Sequence, residues 1–423
     1  MTQSLSEKIN FIIFFLVVSL PIVSISGPFF TDLFLSLSAF FFIVHVILNK
    51  NYRYFSNIFF IIFIIWNFYL ITISLFSDFP LLSLESSLFY FRFGVFSMCV
   101  YFLINNNEKF MKFFAIAMMA VFTFVIINSV FQYFFLADFF GNKYDGIRLS
   151  GIFGEERILG SFLSRLTPLF LGLIFFCFRN NYKIILFSLL IFISIDIIVY
   201  LSGERSAFFN LIFFSFILIF LTKTFKRIRV YTLLISIVLI IAVSYQNKPS
   251  FDRMVLKTLN QTNILNENPT IFSIQHQVIY STSLKIYKEY PIFGIGPKNF
   301  REFCKKEKYK TYTKDDHSVD GCQSHPHNFY LQLLTETGPL GLLPVVFVFL
   351  GIIFIYLKEL YSLSAKRKKT YNDFFIIISS SIVINLWPFI PTGNFFNNYV
   401  SFLIYLPAGF IVYFIKEKIY KYG

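Results

Sequence analysis

The chain has 423 residues, of which 56% are hydrophobic, 21% aromatic and only 14% charged, with a formal net charge of +14. Its mean hydropathy of +0.67 excludes a soluble globular or disordered protein and predicts an integral membrane protein. The excess of basic residues follows a topological pattern set out below, so no nucleic-acid partner is predicted.

Crossing about 30 Å of hydrocarbon takes about 20 apolar residues in a helix. Runs of this kind recur about twelve times, near 9–25, 28–48, 58–76, 87–104, 113–136, 158–178, 184–201, 207–222, 230–245, 338–357, 374–390 and 399–415. An unclosed strand would leave its backbone unpaired in lipid, so an all-α bundle is predicted. The first run lacks a small-residue cleavage site and a second follows almost at once, so it reads as a retained span. With Met1 on the cytoplasmic side, alternate loops carry Lys50 and Arg53, Lys109 and Lys112, Arg179 and Lys183, Lys223 to Arg229, Lys358 with Lys366 to Lys369, and Lys416 to Lys421. The opposite short loops 77–86 and 391–398 carry no Lys or Arg, which places both termini in the cytoplasm. Three parts follow: a nine-helix region at 1–245, an extracytoplasmic loop with short helices at 246–328, and a half-helix with three further spans at 329–423.

Within the first five spans, Asp32 and Arg92 stand out, because an ionisable group in a span is costly and needs a partner; both read as interhelical contacts. The loop Asp138–Arg157 then brings Arg148 shortly before Gly151-Ile152-Phe153-Gly154. Asp196 lies in the seventh span, ahead of the very short turn Ser202-Gly203-Glu204-Arg205-Ser206. An arginine opening a membrane helix stays at the headgroup level, where a lipid-linked phosphate would lie or where it would simply snorkel. The long loop that follows holds four of the five histidines, His276, His317, His325 and His327. It also holds Cys304 and Cys322, which lie where oxidation is permitted. They either close a loop of about nineteen residues, worth about 3 kcal/mol, or remain free thiols. Cys99 and Cys177 fall in apolar runs and read as buried thiols.

A helix over about 275–290 is ended by Pro291-Ile292-Phe293-Gly294-Ile295-Gly296-Pro297-Lys298, a tight glycine turn. Some thirty residues later comes His325-Pro326-His327-Asn328, and then Gly338-Pro339 and Gly341. Pro326 suits a first helical turn and Gly338-Pro339 a stop and restart, so a polar half-helix is predicted, with His327 at its N-terminus and on one face with Gly338.

The stretch from Pro291 to Gly341 resembles the signature of the O-antigen ligase and O-antigen polymerase superfamily, bacterial polytopic glycan transferases that take glycans from a polyprenyl-pyrophosphate carrier. The resemblance implies a GT-C-like transferase in the bacterial inner membrane, with its active site on the periplasmic side. It implies an undecaprenyl-pyrophosphate-linked glycan as donor and lipid A core or another glycan as acceptor. His327 and Arg205 match the family's catalytic residues, and Arg148 and the Gly294-x-Gly296 turn match its other landmarks. Where relatives carry a second arginine this chain has Ile274-Gln275-His276, so His276 takes that place, with Arg253 and Arg301 as substitutes and Lys298 beside them. Asn328, Gly338, Gly341, Gly294 and Gly296 are the structural part of the signature.

The chemistry follows from these residue types. A neutral imidazole accepts the acceptor hydroxyl's proton, and guanidinium groups hold the departing pyrophosphate in a two-pronged grip. No cofactor or metal is predicted, since His317, His325 and His327 with a cysteine fit no standard zinc spacing. Ligation is the favoured reaction, ahead of polymerisation and transfer to protein. A transporter is disfavoured because no internal repeat is visible and the long loop falls after the ninth span.

Overall fold

The computed structural model describes residues 2–261, 270–312, 320–365 and 370–417. His317, 366–369, Lys418 and Lys421, used above, lie outside the described residues. In chain order the helices are α1 (Thr2–Val23), α2 (Pro28–Leu48), α3 (Ile58–Leu75), α4 (Pro80–Ser87), α5 (Phe91–Asn106), α6 (Phe110–Phe135), α7 (Leu159–Phe178), α8 (Tyr182–Leu201), α9 (Arg205–Leu221) and α10 (Thr224–Gln246). Beyond them come the short α11 (Lys248–Phe251) and α12 (Lys257–Gln261), then α13 (Ile274–Glu289), α14 (Phe300–Phe303), α15 (Phe329–Ser364), α16 (Asp373–Asn385) and α17 (Asn398–Glu417).

Every apolar run read from the sequence coincides with one of these helices, with α4 and α5 joined in a single span. Among the described residues, ten helices are long and apolar enough to cross a membrane, and α9 and α16 are shorter apolar ones. The chain is an all-α, multi-pass membrane protein. Asparagine side chains start several helices: Asn57 accepts from Phe59 N at 3.0 Å, and Asn372 accepts from Phe375 N at 2.8 Å. α5 and α16 are buried almost all round and form the middle of the bundle, whereas α10 buries few of its side chains and faces lipid.

Two ion pairs lock helices together. Arg92 on α5 meets Asp32 on α2 at 2.9 Å, and Asn398 at the start of α17 bonds both. Asp196 on α8 meets Arg229 at 2.7 Å, with Ser215 and Ser236 filling the remaining sites. This corrects one reading: Arg229 is not a cytoplasmic loop charge. It lies inside α10 with a side chain only 1% exposed, because Asp196 needs a cation within the bundle. Cys177 is likewise only half-buried, while Cys99 is buried as expected.

At the end of the bundle where α9 begins, α13 packs on the first half of α15, and Ser283 and Thr335 share a hydrogen bond at 2.6 Å. A second, smaller core of Ile279, Ile286, Ile295, Phe300, Phe303 and Tyr309 fills this layer. Cys304 and Cys322 are joined there in a disulfide with Cα atoms 5.0 Å apart.

Candidate functional site

The site is built on a break in α15. Its first segment ends at Gly338, whose backbone (φ 65°, ψ −178°) is open to glycine alone. The next residue is Pro339, which has no N–H, so the Thr335 carbonyl finds no donor in its own helix. The glycine turn supplies the replacement: Ile295 N donates to Thr335 O at 3.1 Å and Gly296 N to Glu336 O at 2.7 Å. Tyr69 Oη donates to Thr337 O at 2.7 Å and Trp66 Nε1 to Gly341 O at 2.8 Å, which ties the break to α3. Backbone meets backbone here without room for a side chain. A Cβ on Gly294 would lie 2.5 Å from the Glu336 carbonyl carbon, and one on Gly338 would run into the Ile292 carbonyl.

At the other end of the half-helix, Asn328 is the N-cap, accepting from Tyr330 N at 3.0 Å and Leu331 N at 3.1 Å while its amide donates to Pro388 O at 2.8 Å. The helix therefore starts at Phe329. Pro326 is not in its first turn, and His327 does not share a helical face with Gly338. His327 instead has a left-handed backbone, φ 56°, a conformation that costs a β-carbon residue about 1–3 kcal/mol and recurs at functional sites. Thr392 N, from the loop ahead of α17, donates to the His327 carbonyl at 2.8 Å and holds it there.

Three imidazoles meet at this point. The His327 ring centre is 4.1 Å from that of His325 and 6.0 Å from that of His276, the latter pair perpendicular. Burial lowers the His327 pKa from 6.5, partly offset by the Thr392 backbone. Burial and the neighbouring His327 bring His325 to about 3. His276, whose Nδ1 lies 2.7 Å from Ser273 Oγ, is lowered to about 4 by burial, by His327 and by the charge of Arg205. His276 thus faces His327 and lies within electrostatic reach of Arg205 at the start of α9.

Around Arg205 the guanidinium groups gather. Arg148 Nε donates to Ser202 O at 3.2 Å and Arg253 Nε to Gly203 O at 3.0 Å, so both lie on the turn that opens α9. Burial comes first in lowering the pKa of each; the charge of Arg253 acts on Arg148, and those of Arg205 and Arg157 act on Arg253. Arg205 Nη1 donates to Gln261 at 2.5 Å. Two carboxylates stand against these four arginines. Asp145 is 3.6 Å from Arg157, and Glu204 caps the first turn of α7 through Gly160 N at 2.7 Å and Ser161 N at 3.0 Å. The imbalance leaves a site that favours an anion.

Arg301 lies beside His325 and Glu336, its Nε buried and without a partner. Lys298 is not brought to the group: its Nζ sits 3.4 Å from Glu85 of α4, because the glycine turn directs it toward α4 rather than α9. Sequence reasoning missed Arg157, which looked like one more loop charge, and Tyr280, whose hydroxyl reaches the His327 carbonyl at 3.5 Å. Although three imidazoles meet here, among the described residues no group of three His, Cys, Asp or Glu side chains is arranged to hold a metal ion.

Fold and site together define a multi-pass membrane protein that sets neutral imidazoles beside a cluster of guanidinium groups at one end of the bundle. Residues 186–346 match the family model described as O-antigen ligase (Wzy_C), a stretch from α8 into α15 that includes Arg205, His276 and His327. This match supports the O-antigen ligase superfamily and, in general terms, a glycosyltransferase-type function with a lipid-linked glycan donor and an acceptor. No curated protein matches the chain.

Proposed function

We propose that this protein is an O-antigen ligase-type enzyme of the bacterial inner membrane. It transfers a glycan from undecaprenyl pyrophosphate to a hydroxyl of lipid A core or a similar acceptor on the periplasmic side. Both termini are cytoplasmic in this reading, as the basic loops require. The observation that carries it is the placement of His327, ahead of α15, beside His276 of α13 within electrostatic reach of Arg205 of α9.

His327 takes the proton from the acceptor hydroxyl as its oxygen bonds to the anomeric carbon, while the bond from that carbon to the pyrophosphate breaks on the opposite face. One displacement inverts the anomeric centre. Burial keeps the imidazole neutral and ready to accept, and the developing imidazolium is stabilised by the pyrophosphate beside it. Arg205, Arg148 and Arg253 hold the leaving group with guanidinium charge, which stays on at all working pH values, so no metal is needed for that task. Arg301 and His276 line the path between base and phosphates. A cavity of about 250 Å³ between α9 and α10 is walled by Phe208, Ile212 and Ile240 together with the Asp196–Arg229 pair.

The test is transfer by purified protein in nanodiscs with a lipid-linked glycan and an acceptor. His327→Ala is expected to reach the membrane folded and to lose transfer by about 10²–10⁴-fold, the usual share of a general base. Full activity in that variant would refute the assignment. In a deletion strain, complete polymers stranded on the carrier mark a ligase, whereas single repeats without polymer mark the alternative, an O-antigen polymerase.

A further inference from the structure

Arg165 lies on the membrane-length helix α7, and none of the interactions so far described uses it. It is half-buried, its Nε is fully buried without a hydrogen-bond partner, and among the described residues it forms no ion pair. Its ionisable neighbours are Glu204 and Tyr399. Glu204 makes no ion pair with it; its carboxylate instead accepts from Gly160 N, Ser161 N and Ser161 Oγ. The Tyr399 hydroxyl is itself buried and unpartnered. A guanidinium inside a membrane bundle is costly when left unpaired, and one that persists there marks a ligand path.

The depth of Arg165 identifies the ligand. Gly160 N is 2.7 Å from the Glu204 carboxylate, so the first turn of α7 is level with the start of α9, where Arg205 stands. Arg165 is five residues further along α7, about 7–8 Å deeper at 1.5 Å per residue. A lipid pyrophosphate placed along the bundle axis has two phosphates at different depths, and the lipid-esterified one is the deeper. We propose that Arg165 binds the lipid-side phosphate of the polyprenyl carrier, while Arg205 and its neighbours hold the sugar-side phosphate. The proposal rests on the reading of the site as one for a polyprenyl-pyrophosphate donor. It assigns Arg165 to substrate contact rather than to bundle stability.

Two probes without a glycan separate the phosphates: undecaprenyl monophosphate, which has only the lipid-side group, and undecaprenyl pyrophosphate. Binding of each to full-length protein in nanodiscs is measured for the unmutated chain, Arg165→Gln and Arg205→Gln, with thermal midpoints alongside. Arg165→Gln is expected to weaken both probes by a similar factor, about 10–100-fold for a charge-assisted pair. Arg205→Gln should weaken the pyrophosphate far more than the monophosphate. Unchanged binding of the monophosphate by folded Arg165→Gln overturns the proposal and leaves the donor assignment standing. Failure of the unmutated chain to bind either lipid overturns both. If Arg165→Gln does not fold, Arg165→Lys keeps the charge felt by Glu204 without the planar fork. At least fivefold weaker binding of both probes is then expected, and unchanged binding overturns the proposal.

Discussion

Gly338→Ala tests whether the break in α15 sets the position of His327. The residue sits at φ 65°, ψ −178°, where a side chain is strained, and its new Cβ would run into the Ile292 carbonyl. The strain costs about 1–3 kcal/mol. Relieving the contact pushes the glycine turn away, with loss of the Ile295 N to Thr335 O and Gly296 N to Glu336 O bonds, each worth about 1 kcal/mol net. The sum is about 3–5 kcal/mol, enough to lower the thermal midpoint in nanodiscs by about 3–6 °C for a chain of this length. Movement of the half-helix also shifts Asn328 and the adjoining His327, and a displacement of about 1 Å at a reacting group can cost about 10²-fold in rate. Gly351→Ala is the control, since a Cβ there meets nothing within 4 Å and a helical alanine is favoured over glycine. Equal stability and equal transfer in the two variants would refute the role given to the break.

Two further outcomes are expected. Asp196→Ala should destabilise the bundle by about 3–5 kcal/mol because Arg229 is left buried and uncompensated, whereas Asp196→Leu with Arg229→Met should recover most of that loss. Equal thermal midpoints for the single and double variants would contradict this. The proposed base must be neutral to act, and burial holds its pKa below the ordinary 6.5. Neutral imidazole therefore persists to lower pH, and the acid limb of kcat/KM should fall below pH 6.5; a limb at or above that value counts against His327 as the base.

The hydropathy pattern alone determined the fold class and located the apolar helices, because in lipid the backbone must satisfy itself and only a long apolar run can do so as a helix. The glycine and proline positions likewise marked the break in α15, since missing β-carbons and missing N–H groups act locally. Partnership was beyond the sequence. Arg229 read as a loop charge until the packing of α8, α9 and α10 showed it clasping Asp196. Lys298 looked like a phosphate ligand until the turn aimed it at Glu85. Arg165 passed unnoticed within a span, although a lone guanidinium among apolar residues was a signal in itself. Only the tertiary structure decided that His276 faces His327 within electrostatic reach of Arg205, because residues far apart along the chain meet through helix packing, which depends on contacts that no local pattern encodes.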